Sequence, residues 1–244
     1  MVVLSGEGPT DMGRCRGPVD CCTGEAFEAG PLAVIVDRVL AATLDYRPLQ
    51  VHPQGVHFIG KARVMQRARD GAQRRGFAFI GKKRGQETGY FYLAAWMLGE
   101  LALELEAAYT DSSIAVLHRD SDDRADGPND LWERKFKSML DGFTRAGHMH
   151  GVPMLPRPIS ESWLLCAARP GLANCAALED EAASDNAPRP LKVQLAEALG
   201  EHRGAQALAE WIDVAFDAEK MATMPSFARF HEVLNGAVAS VLAG

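Results

Sequence analysis

Two short acidic motifs contain the residues of this chain that, by their type and spacing, are the best candidates for binding a metal ion. Residues 6–11 (GEGPTD) follow the apolar run 2–4, and residues 120–123 (DSDD) follow the apolar run 114–117. Because the carboxyl ends of neighbouring parallel strands open onto one crevice, the two motifs can meet there. Crowded carboxylates repel each other unless a cation lies between them, and hard oxygen ligands favour Mg²⁺ or Mn²⁺. The motifs together predict one divalent-metal site.

Four side chains are the first candidates for ligands of that cation. Glu7 lies between two glycines, which let the backbone turn sharply, and a helical turn would place Asp11 on the same side. Asp120 and Asp122 point the same way if extended geometry persists between them, whereas Asp123 is either a further ligand or the cap of the following turn. Taken alone, each motif could also be a turn with solvated acids.

Composition places the chain among ordinary globular proteins. Of its 244 residues, 47% are hydrophobic and 24% charged, and the formal charge is −6, which gives no overall attraction to nucleic acid. No apolar run reaches the roughly 18 residues of a membrane span. The N-terminus lacks the basic start and apolar core of a signal peptide, so we expect a cytoplasmic location. None of the five cysteines has the C-x-x-C spacing of zinc or redox sites, so reduced thiols are expected.

The order of apolar runs and turn signals predicts alternating strands and helices. Strands are predicted at 1–5, 56–59, 113–118 and 151–155, and residues 14–30 are predicted to be a loop. Helices are predicted at 31–44, 61–69, 86–109, 130–145, 160–168 (capped by Ser160) and, in the C-terminal region, near 190–200, 204–219 and 226–242. Such alternation is typical of an α/β sheet with right-handed crossovers.

A basic segment interrupts this otherwise acidic chain. Residues 60–85 contain nine Lys or Arg side chains and a single acid. With the interleaved Phe77 and Phe79, these cations could bind the phosphates and bases of a single strand. A solvated basic helix or a docking face for an acidic partner explains the same charges equally well. The predicted nucleic-acid-binding residues are Lys61, Arg63, Arg67, Arg74, Arg75, Lys82, Lys83 and Arg84.

The motifs resemble those of the TOPRIM family, the nucleotidyl-transferase and hydrolase domain of topoisomerases, primases and OLD-type nucleases. That family has a glutamate after its first strand and D-x-D after a later one, and Glu7, Asp120 and Asp122 match in this order. The longer pattern E-G-x-T-D at 7–11 is similar to the OLD-type branch, in which the fourth residue after the glutamate also helps to bind metal. Residues 158–165 (PISESWLL) resemble the I-E-x-W-L-L stretch of small stand-alone TOPRIM-like proteins whose genes often neighbour an ATPase.

The resemblance implies a fold and a domain organisation. It implies a TOPRIM-like (Rossmann-like) α/β domain at 1–185, with a mainly parallel sheet flanked by helices. A helical C-terminal region at 186–244 would pack on this core. The two acidic motifs lie farther apart than in a minimal TOPRIM domain, which implies an inserted basic segment at about 45–85.

The resemblance also implies an activity. It implies a Mg²⁺- or Mn²⁺-dependent endonuclease in which two metal ions about 4 Å apart clamp a phosphodiester. Glu7 would be a shared ligand or general base, Asp120 and Asp122 metal ligands, and Asp11 and Glu161 further ligands. The implied substrate is DNA rather than RNA. The implied partner is an ATPase in an anti-phage or DNA-processing module, and a homo-oligomer is compatible with the sequence.

Two other functions stay open from the residues. The chain could be a non-catalytic or latent interaction subunit of an ATPase complex, with a structural acidic pocket and a basic segment that docks a partner. It could also be a phosphatase-like hydrolase, although enzymes with an aspartyl nucleophile usually carry D-x-D after the first strand.

Overall fold

The computed structural model describes residues 1–75, 88–122, 130–171 and 175–244, apart from the side chains of 72–75. Of the predicted site residues, Lys82, Lys83, Arg84 and Asp123 lie outside the described residues. Arg74 and Arg75 lie in a helix of which only the backbone is described at these two positions.

A five-stranded sheet forms the centre of the molecule. The strands of the chain are β1 (Val2–Ser5), β2 (Gly13–Cys15), β3 (Cys21–Thr23), β4 (Phe27–Ala29), β5 (Val56–Ile59), β6 (Ile114–His118) and β7 (Gly151–Met154). The central sheet has the order β3-β5-β1-β6-β7, in which only β3 runs antiparallel to its neighbour. β2 and β4 form a separate antiparallel pair. The predicted α/β class with a mainly parallel sheet is confirmed.

Helices cover both faces of this sheet. They are α1 (Pro31–Leu44), α2 (Pro48–Val51), α3 (Lys61–Arg75), α4 (Gly89–Tyr109), α5 (Leu131–Ala146), α6 (Ser160–Ala168), α7 (Leu191–Leu199), α8 (Ala205–Ala215), α9 (Ala218–Met221) and α10 (Pro225–Ala243). None of these helices has the length and apolar character needed to cross a bilayer, a finding that covers the described part of the chain.

The alternation of side chains along β1 divides the core into two clusters. Val2 and Leu4 pack in one cluster with α1, α6 and the C-terminal helices α7–α10. Val3 faces the opposite way and packs in the other cluster with α3, α4 and α5. Strands buried on both faces are continuously apolar, which explains the unbroken hydrophobic runs of β1 and β6.

Two expectations differ from the structure. Residues 14–30 contain β2, β3 and β4 rather than a loop alone, whereas the strand predicted at 56–59 is present as β5 and pairs with β1. The expectation of five reduced thiols is wrong, because Cys15–Cys22 and Cys166–Cys175 form disulfides, which leaves Cys21 free. Folding brings the sulfurs together from spacings of seven and nine residues, which differ from the C-x-x-C pattern. Disulfides are rare in cytosolic proteins, and the two found here therefore do not support the predicted cytoplasmic location. That location stays a prediction.

Candidate active site

The two acidic motifs leave the sheet at the same edge. β1 and β6 are parallel neighbours with Ser5 paired to Leu117, so residues that directly follow the two strands emerge side by side. The strands of such a pair are about 4.8 Å apart. The predicted juxtaposition of the two motifs therefore follows from the strand pairing.

The chain after β1 turns sharply back toward α1. A Cβ atom at Gly6 would lie 2.5 Å from the Cβ of Met12, so only glycine fits this close approach. The Asp11 carbonyl accepts a hydrogen bond from the Leu32 amide at 3.0 Å, which fixes Asp11 to the start of α1. Residues 7–12 form turns rather than a helix.

Ser160 brings three carboxylates together. Its hydroxyl oxygen lies 2.9 Å from Asp11 Oδ1 and 3.3 Å from Glu161 Oε2, and its amide donates to Asp120 Oδ1 at 2.8 Å. The hydroxyl has one proton and serves one carboxylate at a time. The serine was predicted to cap α6, but the N-cap is Ile159 and the Ser160 hydroxyl bonds Asp11 instead. Asp11, Asp120, Glu161 and Ser160 are called the acidic cluster below.

Charge crowding in the acidic cluster affects its titration. Burial raises the pKa of Glu161, and the charges of Asp120 and Asp11 raise it further against the opposing effect of Lys192. For the fully buried His118, burial lowers the pKa, but the hydrogen bond to Asp120 and the charges of Asp120 and Asp11 outweigh it and the net pKa is raised. His118 Nε2 lies 3.3 Å from Asp120 Oδ1. Negative charge therefore accumulates at this point of the sheet edge.

Glu7 lies beside two cations rather than in the acidic cluster. Its Oε1 is 3.2 Å from Lys61 Nζ and 3.6 Å from Arg119 Nη1. The Arg119 guanidinium lies over the Tyr90 ring, with 4.7 Å from Cζ to the ring centroid, and Lys61 Nζ is 6.0 Å from the same centroid. Residues 7–12 do not form the helical turn that was expected to place Glu7 and Asp11 on one side, and Asp11 contacts Ser160 whereas Glu7 contacts these cations.

Asp122 does not extend the strand geometry of Asp120. Its φ of 49° is in the left-handed region, and the residue is exposed. The alternation argument that placed both side chains on one face therefore fails, because it required extended backbone through this residue.

The described basic residues have different surroundings. Lys61 contacts Glu7, whereas Arg67 forms ion pairs with Glu100 at 3.0 Å and Glu104 at 2.7 Å on α4. These bonds raise the pKa of Arg67 despite the opposing effect of burial. Arg63 is exposed. Arg67 thus holds α3 on α4, a structural role.

Three residues of the acidic cluster, Asp11, Ser160 and Glu161, line a cavity of about 330 Å³. Lys192 and Arg203 contribute positive charge to its lining. Leu164, Leu195, Leu199 and Leu208 add apolar surface. The size lies within the range typical of small-ligand sites, so a ligand could reach these carboxylates.

Comparisons with protein-family models, with curated proteins and with solved structures find no match for this chain. The resemblance to the TOPRIM family therefore rests on the sequence motifs.

The donors of the cluster fit Mg²⁺ or Mn²⁺ in kind, since they are carboxylate and hydroxyl oxygens. As the side chains stand, the described ranges contain no group of three or more His, Cys, Asp or Glu placed to hold a metal ion. Coordination would require these side chains to change conformation. Burial is the main cause of the raised pKa of Glu161, and a bound cation would offset the smaller contribution from the charges of Asp120 and Asp11.

Sequence reasoning missed Arg119 and Tyr90 and assigned Ser160 a different role. Arg119 directly precedes the predicted ligand Asp120, and this adjacency was the available signal. Tyr90 and Ser160 approach the site through tertiary contacts that no local pattern reveals.

Proposed function

We propose that this chain is a divalent-metal-dependent nuclease of TOPRIM type that hydrolyses phosphodiester bonds with Mg²⁺ or Mn²⁺. The observation that carries the proposal is the convergence of Asp11, Asp120 and Glu161 on Ser160, next to Glu7, at the carboxyl edge of β1 and β6. Carboxylates from three separate parts of the chain meet there, and two of them, Asp11 and Glu161, line a cavity that a ligand can enter.

The proposed roles follow from the chemistry of each group. Asp11, Asp120 and Glu161 would hold the cation, which when bound stabilises the charge that develops on the phosphoryl oxygens. Glu7 would accept a proton from the attacking water as the new P–O bond forms and the bond to the leaving oxygen breaks. Lys61 and Arg119 would balance phosphate charge on the other side of Glu7.

The finer assignments depend on the motif resemblance. DNA as the substrate, an ATPase partner, a role in anti-phage defence or DNA processing, and assembly into a homo-oligomer are proposed on that ground. Asp122 is proposed as an additional ligand on the same ground.

A second candidate is a non-catalytic interaction subunit of an ATPase complex. The observation in its favour is that Lys61 and Arg119 already neutralise Glu7. In addition, the described carboxylates are not placed to hold a metal ion as they stand. In this case the acidic cluster would serve to tie α6 to the loop after β1.

A plasmid-nicking assay separates the two candidates. The wild-type protein, alone and with candidate ATPase partners, is incubated with supercoiled plasmid and Mg²⁺ or Mn²⁺, with EDTA as the control. Nicking that requires the cation is the expected result. Inactivity under every one of these conditions would favour the interaction subunit.

A further inference from the structure

Arg119 is a buried cation with no hydrogen-bond partner in the described part of the chain. Its side chain is 1% exposed, and among the described residues none of its three guanidinium nitrogens has a hydrogen-bond partner. The nearest acid, Glu7, lies at 3.6 Å, an ion-pair distance too long for a good hydrogen bond. Buried polar groups are nearly always satisfied, because an unpaired one carries a large desolvation cost. The guanidinium therefore has donors available for an oxyanion.

Lys61 approaches the same point from another element. It is the first residue of α3, a helix of 15 residues whose N-terminal end carries partial positive charge. Its ammonium lies 3.2 Å from the carboxylate oxygen of Glu7 that Arg119 faces. Two cations thus converge on one carboxylate, one of them carried by the first residue of a helix, and that carboxylate is 36% exposed.

We propose that Lys61 and Arg119 form a phosphate-binding site that Glu7 occupies in the free protein. A backbone phosphate of nucleic acid displaces the Glu7 carboxylate from both cations and takes its place. Helix N-termini and arginine donors are both well suited to phosphate oxygens. Tyr90, against which the guanidinium lies, holds Arg119 in position.

Displacement has a consequence for the proposed reaction. Once released from the cations, the Glu7 carboxylate is free to accept a proton from the attacking water, so phosphate binding and activation of that water are coupled. This step rests on the proposed nuclease function, whereas the phosphate site itself does not.

The test measures binding without catalysis. A fluorescein-labelled single-stranded oligodeoxynucleotide is titrated with protein in EDTA, and fluorescence anisotropy gives the Kd. Arg119→Met is expected to weaken binding about 10- to 100-fold, because one charge-assisted contact is lost. Glu7→Gln is expected to strengthen binding about 3- to 10-fold, because it removes the internal competitor. Effects of opposite sign from two residues in contact are not expected of a purely structural ion pair.

Matched controls exclude general charge effects. Arg145→Met removes an exposed arginine that also lies on an aromatic ring, 5.1 Å from Trp96, and is expected to leave the Kd unchanged. Asp20→Asn removes an acid from the cavity that Glu7 and Lys61 also line and is expected to have little effect. Equal strengthening by Asp20→Asn and Glu7→Gln, or an unchanged Kd for Arg119→Met, would overturn the proposal.

Two further experiments cover a variant that does not fold and a ligand other than nucleic acid. If Arg119→Met does not fold, Lys61→Met, at a side chain 42% exposed, is expected to give the same weakening, and an unchanged Kd there overturns the proposal. Inorganic phosphate is tested separately by its effect on Tm. A phosphate-dependent Tm rise that Arg119→Met abolishes, without oligonucleotide binding, would assign the site to free phosphate and overturn the nucleic-acid ligand. The binding assay contains EDTA and does not depend on hydrolysis. A protein that fails to nick plasmid could therefore still show the predicted binding, and failure of the proposed nuclease function can be distinguished from failure of the phosphate site.

Discussion

Asp120→Asn is expected to lower cation-dependent plasmid nicking at least about 100-fold while the protein keeps its fold. Asp120 Oδ1 accepts the Ser160 amide at 2.8 Å and lies 3.3 Å from His118 Nε2. An asparagine oxygen can accept both bonds, so the start of α6 stays attached to the end of β6. The negative charge and the second carboxylate oxygen are lost, and these are what a hard cation requires.

The measurement compares initial nicking rates of wild type and variant at equal concentration in Mg²⁺. Asp141→Asn is the matched control, because Asp141 is an exposed acid on α5 that pairs with Lys137 one helical turn away. Its rate should equal that of the wild type. Full activity of Asp120→Asn, with unchanged circular dichroism and Tm, would remove Asp120 from the proposed site.

Trp163→Ala is expected to lower the free energy of unfolding by about 3–5 kcal/mol. The indole is fully buried, and its ring centroid lies 5.1 Å from that of Phe227 and 5.6 Å from that of Phe230. Its Nε1 donates to Ser226 Oγ at 2.8 Å. Truncation would leave a cavity between α6 and α10 and an unpaired buried hydroxyl, and both effects destabilise the folded state.

Urea denaturation gives the unfolding free energies for this comparison. Trp163→Phe keeps an aromatic ring but loses the donor to Ser226, so a smaller loss of about 1–3 kcal/mol is expected. Val214→Ala is the control in the same helical region, because Val214 is 88% exposed. It should change stability by less than about 0.5 kcal/mol. If the midpoint of the urea transition is the same for Trp163→Ala and the wild type, α10 is not packed on α6 as described.

The alternation of elements could be predicted from the sequence because hydrophobic periodicity and turn residues act locally. α1 begins at Pro31 and ends at Leu44 as predicted, and β5, β6 and β7 lie within one residue of their expected bounds. The strand order follows from pairing between distant segments, yet the carboxyl-edge rule for parallel sheets was sufficient to bring Glu7 and Asp120 to one edge.

The parts of the site that could not be predicted depend on tertiary contacts or unusual backbone. The left-handed φ of Asp122 interrupts the alternation on which its placement rested. Arg119 is a charged residue, a type rarely found fully buried, and it packs on the ring of Tyr90, almost thirty residues earlier in the chain. Ser160 has the sequence context of a helix cap, but Asp11 competes successfully for its hydroxyl. The disulfides join cysteines that only the folded chain brings within reach.

Calorimetric titration with Mn²⁺ tests most directly whether the acidic cluster binds a divalent cation. Saturable binding by the wild-type protein is predicted, with affinity at least about 100-fold weaker in Asp11→Asn/Asp120→Asn, because two of the proposed ligand charges are removed. Asp141→Asn should bind as the wild type does. Absence of Mn²⁺ binding to the wild-type protein, or equal affinity in the double variant, would contradict the account.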